Sequence, residues 1–155
     1  MQPPPVVLVI AGSDPSGGAG VQADLRAIAT HGLFGAAAIT ALTVQSTRGV
    51  RSVYPVEAEV VRAQIAAVLD DLPVAAVKIG MLGREAVARA VFVALRGFHG
   101  PVVLDPILRA SSGAALLDPP GLAFLRDELI PRATLVTPNL AEAAALLGWP
   151  ADGES

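Results

Sequence analysis

Two groups of residues in this 155-residue chain have types and spacing suited to chemistry. The first is a glycine run, Gly12-Ser-Asp-Pro-Ser-Gly-Gly-Ala-Gly20, with four glycines in nine residues. Glycine permits positive φ and lets a ligand approach the backbone closely. The run leads into Val21-Gln-Ala-Asp-Leu25, and the free N–H groups and dipole at a helix start attract anions. Gly12 to Gly17 has the G-x-x-x-x-G spacing, but Gly18-Ala19 stands where a nucleotide P-loop requires Lys-Ser/Thr. The dinucleotide pattern G-x-G-x-x-G fails too, since Gly18-Ala-Gly20 is followed by Val-Gln-Ala. A tight strand-to-helix turn explains the same run without a ligand, and spacing alone leaves both readings open.

The second group consists of polar side chains that follow apolar runs. Asp24 lies one turn into the expected helix, where an exposed helix-start aspartate is the ordinary explanation. Gln45 ends the run TALTVQ; its amide both donates and accepts, which suits reading a heterocycle, but it also suits a polar loop cap. Lys78, the chain's only lysine, precedes Ile79-Gly80-Met81. It is placed to hold an anion as a point charge or to reach solvent with no partner. Met81 fits a polarisable pocket wall or ordinary core. Asp105 precedes Pro106 after a short apolar run, as a magnesium ligand or a turn former. Ser111-Ser112-Gly113 can form a small nest. Asn139 and Glu142, three apart, can orient magnesium-bound water near phosphates or simply cap a helix.

These residues need elements to position them. Val6–Ala11, Ala37–Val44, Ala75–Ile79, Val102–Leu104 and Thr134–Val136 are short apolar runs, as expected of strands covered on both faces. Between them, Val61/Ile65/Val68/Leu72, Val87/Val91/Leu95 and Leu122/Leu125/Leu129 repeat with helical spacing. Gly97 and Pro131 read as helix stops, Pro119-Pro120-Gly121 as a helix start, and Asn139 as a cap. Val50–Val56 alternates and carries Pro55, so it reads as an edge strand or flap. The alternation predicts an α/β sandwich with a mainly parallel sheet, whose ligands bind beyond the carboxyl ends of the strands.

Composition narrows the function classes. Fifty-three per cent of residues are hydrophobic and 16% charged, too apolar for disorder. A net charge of −3 with a single lysine argues against nucleic-acid binding. The absence of cysteine excludes disulfides, thiolate catalysis and cysteine-based zinc sites. The start shows no signal-peptide pattern and no apolar run reaches membrane-spanning length, so a cytoplasmic protein without a membrane partner is expected. The length suits one domain over residues 1–155, with 1–5 and 149–155 expected to fray.

Taken together, Val9–Leu25 (VIAGSDPSGGAGVQADL), Ile39–Gln45 (ITALTVQ), Lys78–Leu82 (KIGML), Val102–Pro106 (VVLDP) and Thr137–Ala143 (TPNLAEA) resemble the hydroxymethylpyrimidine/phosphomethylpyrimidine kinases of thiamine biosynthesis, in the ribokinase-like superfamily. The resemblance runs from about Val6 to Leu147. It implies a three-layer α/β/α sandwich and a kinase that phosphorylates 4-amino-5-hydroxymethyl-2-methylpyrimidine, then its monophosphate, with ATP and Mg²⁺. It assigns pyrimidine binding to Gly12, Asp24, Gln45, Met81 and Ile107. Asp105, Asn139 and Glu142 match positions that manage ATP phosphates and magnesium, with Asp105 and Glu142 nearest the metal. Members of the family are longer, and their later Gly-Thr-Gly-Cys word, which supplies the anion hole and a reactive residue, is missing here. The expectation is therefore an N-terminal part of such a domain, without a catalytic residue of its own, inactive or nearly so by itself, and either self-associating, most simply as a homodimer, or poorly stable alone. Ser111, where relatives often carry lysine, and Ala141, where they often carry proline, depart from the pattern. A pyridoxal-type vitamin kinase and a non-catalytic pyrimidine-binding module are the competing readings.

Overall fold

The computed structural model describes residues 3–109, 113 and 115–149. The Ser111-Ser112 part of the expected nest, the departure at Ser111, and the ends at 1–2 and 150–155 lie outside them. The described residues form one six-stranded sheet in the order β3-β2-β1-β4-β5-β6. Its strands are β1 (Val6–Ser13), β2 (Phe34–Ser46), β3 (Gly49–Pro55), β4 (Val74–Ile79), β5 (Val102–Leu104) and β6 (Leu135–Val136). Every neighbouring pair is parallel except β2 with β3, which is antiparallel. The helices are α1 (Gly20–Thr30), α2 (Ala58–Asp71), α3 (Glu85–Ala94), α4 (Pro119–Phe124) and α5 (Leu140–Leu147).

The strand period of two divides β1 between two cores. Leu8 and Ile10 join Val61, Ile65, Val87, Val91 and Leu104 on the face covered by α2, α3 and α4. Val9 and Ala11 face the other way, onto Val21, Leu25 and Ile28 of α1. Three layers result, as expected. Their arrangement follows from crossover handedness. The chain runs from β1 through α1 outward to β2, then back across through α2 to β4 on the other side of β1. Right-handed connections that travel in opposite directions must lie on opposite faces. The reversal makes a topological switch point between β1 and β4, where such sheets open a crevice.

Val50–Val56 is resolved in favour of the edge: β3 is the outer strand of a hairpin, and Pro55 is its last residue. Three details differ from the sequence expectation. β1 and β2 run further than their apolar cores, to Ser13 and Ser46, carrying polar residues to the sheet's end. Gly97 is not among the left-handed glycines, so α3 stops at Ala94 without that cap. The run carrying Leu122, Leu125 and Leu129 does not stay α-helical. After α4 it widens into a π turn (Leu125–Leu129) and tightens into a 3₁₀ turn (Ile130–Arg132) that contains Pro131. Leu125 and Leu129 stay buried throughout, so the core contact survives the change of helix type.

Candidate functional site

A cavity of about 680 Å³ opens at the carboxyl ends of β1, β2 and β4, at the switch point. The glycine run forms one wall, the tip of the β2–β3 hairpin another, and Met81 with Ile107 a third.

The glycine run is folded around a residue that the spacing argument passed over. Asp14 is buried, and its carboxylate accepts from the Ser16 backbone N–H (2.8 Å), the Ser16 hydroxyl (2.8 Å) and the Ala19 N–H (2.9 Å). Burial pushes its carboxyl up. Hydrogen bonds from the Ser16 side chain and from the backbone of Ser16, Ala19 and Gly18 outweigh burial and hold it below the usual value. The Asp14 N–H donates to Gln22 Oε1 (2.8 Å), and Gln22 Nε2 donates to the Ser13 hydroxyl (2.8 Å). Thr43 on β2 donates to the Ser13 carbonyl at 2.9 Å. Gly20 opens α1 at φ 59°, and a Cβ there would lie 2.3 Å from the Gly12 carbonyl oxygen. The helix start thus rests directly on the end of β1. The Asp-Pro-Ser-Gly sequence is itself a turn signature, the one cue from which Asp14 was legible.

Gln45 lies within β2 at a bulge, paired with Val50 of β3, and lines the cavity half-buried. Its amide has no hydrogen-bond partner among the described residues. Met81 is buried against Gly12, so that it serves as both core and cavity wall. Its carbonyl accepts from the buried Thr40 hydroxyl at 2.6 Å.

Lys78 gains the partners that sequence could not supply. Its Nζ is 2.7 Å from Asp24 Oδ2 and 3.7 Å from Asp105 Oδ2. Asp24 is therefore no free helix-start carboxylate. It does not line the cavity and reaches its edge only through Lys78. Asp105 lies half-buried at the end of β5. Burial pushes its carboxyl above the usual value; Lys78 opposes this, while the charges of Glu142 and Asp24 add to it. Two carboxylates thus share one ammonium, and the charge of Glu142 is felt at Asp105.

Asn139 and Glu142 form the capping box. Asn139 Oδ1 accepts from the Glu142 N–H, and Glu142 Oε2 accepts from the Asn139 N–H, both at 2.9 Å. The cap is thereby observed, and one Glu142 oxygen remains free to face Asp105. Asp105, Asn139 and Glu142 lie outside the cavity lining. Among the described residues no three acidic or histidine side chains converge to hold a metal by themselves.

Comparison with known proteins gives concordant results. The family described as phosphomethylpyrimidine kinase matches residues 14–155. A hydroxymethylpyrimidine/phosphomethylpyrimidine kinase of Rhizobium meliloti is 52% identical over 143 residues, covering 92% of this chain and 54% of that protein. A phosphomethylpyrimidine kinase structure from Clostridium difficile superposes with a TM-score of 0.86 at 40% identity, over 93% of this chain and 63% of that one. A pyridoxal kinase from Staphylococcus aureus, in complex with AMP-PCP and pyridoxal, superposes at 0.81 with 33% identity, over 95% of this chain and 52% of that one. The chain spans about half the length of the curated relatives it matches.

Proposed function

The chain belongs to the phosphomethylpyrimidine kinase family, and on that premise we propose that it forms the acceptor-binding part of an ATP-dependent kinase for 4-amino-5-hydroxymethyl-2-methylpyrimidine and its monophosphate, in thiamine biosynthesis. The observation that carries the reading is the cavity at the switch point, which gathers Gly12, Gln45, Met81 and Ile107 from four separate stretches of chain. Gln45 offers an unpartnered donor and acceptor to an aminopyrimidine edge, while Met81 and Ile107 supply apolar walls for its ring. Asp24 acts at one remove, by fixing Lys78.

The donor side is framed by Asp105, Asn139 and Glu142. Asp105 feels the charge of Glu142, and the two carboxylates would hold Mg²⁺ beside the ATP phosphates. When bound, that ion neutralises charge on the transferring phosphoryl group. Asn139 contributes by fixing the Glu142 carboxylate through the capping box. The anion hole of the resemblance has no counterpart word in this sequence, so these 155 residues are expected to bind the acceptor and turn over little.

Among the described residues no helix is long and apolar enough to cross a membrane. A cytoplasmic location belongs to the same proposal, and the net charge of −3 argues against a nucleic-acid partner. One ribokinase-like domain, of which these residues are a part, fits the single continuous sheet. Exposed Leu42, Val44 and Tyr54 on the hairpin and Leu140, Leu147 and Trp149 near α5 support self-association; light scattering that shows only monomer would oppose it.

Calorimetry with the pyrimidine tests the acceptor site. Gln45→Ala is expected to weaken binding by about 1–3 kcal/mol, the cost of leaving polar groups unpaired. Equal affinity of parent and variant would remove Gln45 from the site. The likeness to pyridoxal kinases supports a second reading, in which pyridoxal is the acceptor. Tighter binding of pyridoxal than of the pyrimidine would favour it.

A further inference from the structure

A second cavity, of about 280 Å³, shares no lining residue with the first. It opens beside Val102, the first residue of β5, and Thr134, just before β6, away from the strand ends that lead to Asp105 and Asn139. Sheet topology places the first cavity; the helical layer makes the second. α3 stops at Ala94, and the chain after α4 widens into the π turn before it tightens again. Phe92 and Leu95 on one side and Leu129 on the other floor the gap, together with Phe98. Turns of the π type are rare and are often found at functional sites.

The rim differs from the floor. No lining residue is acidic, and Arg132 and His99 are exposed there. The Thr134 hydroxyl accepts from the Val102 N–H at 3.1 Å, which leaves its own O–H free to donate. The Arg132 guanidinium lies 4.8 Å from the centre of the Phe92 ring, and that of Arg96 lies 5.9 Å from the same ring. Among the described residues neither has a carboxylate within 4.0 Å, whereas Arg62, Arg89 and Arg126 each pair with an acid close by in sequence. Stacking occupies the face of a guanidinium and leaves its N–H edge free for an anion.

An apolar floor under an acid-free, cationic rim selects one class of ligand. Pockets for drug-sized molecules begin at about 300 Å³, so this one suits a single ring and is too small for a nucleotide. We propose that it is a second binding site, for a small aromatic carboxylate. The ring rests on Phe92, Phe98 and Leu129. The carboxylate meets the edge of Arg132, whose planar fork matches it in two parallel hydrogen bonds, with Thr134 and His99 beside it. Arg96 adds a second positive charge near the same ring. The site is independent of the acceptor reading.

The test combines calorimetry and amide NMR on the purified chain. Benzoate is the probe, and benzyl alcohol, the same ring without the charge, is its control. Benzoate is expected to bind the parent at least about ten-fold more tightly than benzyl alcohol, and to shift the amides of Phe98, His99 and Ala133 but not those of Gly17–Gly20. Arg132→Met is expected to lower benzoate affinity about ten-fold, and Arg132→Lys, which keeps the charge but loses the fork, by less. The thermal transition of each variant reports whether it folds; where Arg132→Met does not, Arg132→Lys carries the test. Equal affinity for the two probes, shifts confined to the glycine loop, or an unchanged benzoate affinity in folded Arg132 variants would overturn the site. So would a parent chain that binds no benzoate. None of these outcomes bears on the acceptor reading, whose probe is the pyrimidine.

Discussion

The glycine-loop end and the α5 end of this chain both follow the plan of strand, turn and helix, yet they are built to different standards. Around Asp14, which is itself buried, the polar groups are paired, and the loop is fixed to β1, β2 and α1 by hydrogen bonds of 2.8–2.9 Å. Around Asn139 the strand is two residues long, the helix begins with a Leu140 that is 89% exposed, and the bonds that order the turn are local ones of the cap. The first end is tied across three elements, including Thr43 on β2, the second mainly within its own turn. The proposed acceptor site needs fixed geometry, and the hydrogen-bonded loop is of that kind. The proposed donor side, around Asp105, Asn139 and Glu142, has no comparable enclosure among the described residues.

The largest effect that would break this contrast is at Gly20. Gly20→Ala drives a Cβ against the Gly12 carbonyl at a positive φ, and is expected to cost about 3 kcal/mol or more in chemical denaturation. Gly148, at φ 69° but with nothing within 4 Å of a Cβ, should cost only about 1 kcal/mol as alanine. Equal costs at the two glycines would show that the close approach at Gly20 is not what holds the loop.

Next comes Asp14→Ala, which strands the Ser16 and Ala19 N–H groups and should cost about 2 kcal/mol. The sign of its pH dependence is fixed. Because the folded carboxyl titrates below 3.8, its stabilisation is present above that pH and disappears as pH falls through the folded value. The variant should therefore lose less stability on acidification than the parent, as followed by unfolding midpoints between neutral and acidic pH. Parallel curves would remove Asp14 from the network.

Asn139→Ala should cost about 1 kcal/mol, felt at the start of α5 and not across the molecule, with amide exchange at Glu142 accelerating first. Protection lost at β1 as well would mean that the two ends are coupled.

Asp105→Asn should have the smallest effect and the opposite sign. Its folded carboxyl titrates above 3.8, so the group lowers stability as pH rises from there through the folded value. At neutral pH the variant, with one fewer carboxylate around Lys78, should melt slightly higher than the parent. A clearly lower melting point would show that the pair with Lys78 outweighs the repulsion.

The strands, their parallel arrangement and the edge character of Val50–Val56 were legible because burial on two faces, alternation and proline each leave a local trace in the sequence. Gln45, Met81, Asp105 and the Asn139–Glu142 cap were legible because they follow apolar runs, where a parallel sheet presents its ends. What those residues do was not written there. Asp24 reads as a solvated helix start until Lys78, 54 positions away, is brought to 2.7 Å. Lys78 reads as a candidate anion site until two carboxylates claim its charge. Sequence determines the elements because propensity and periodicity act between near neighbours. Only the tertiary structure decides which charges are paired and which remain free, because Coulomb interactions and hydrogen bonds depend on distance in space, and the reversal of the chain at β1 sets those distances.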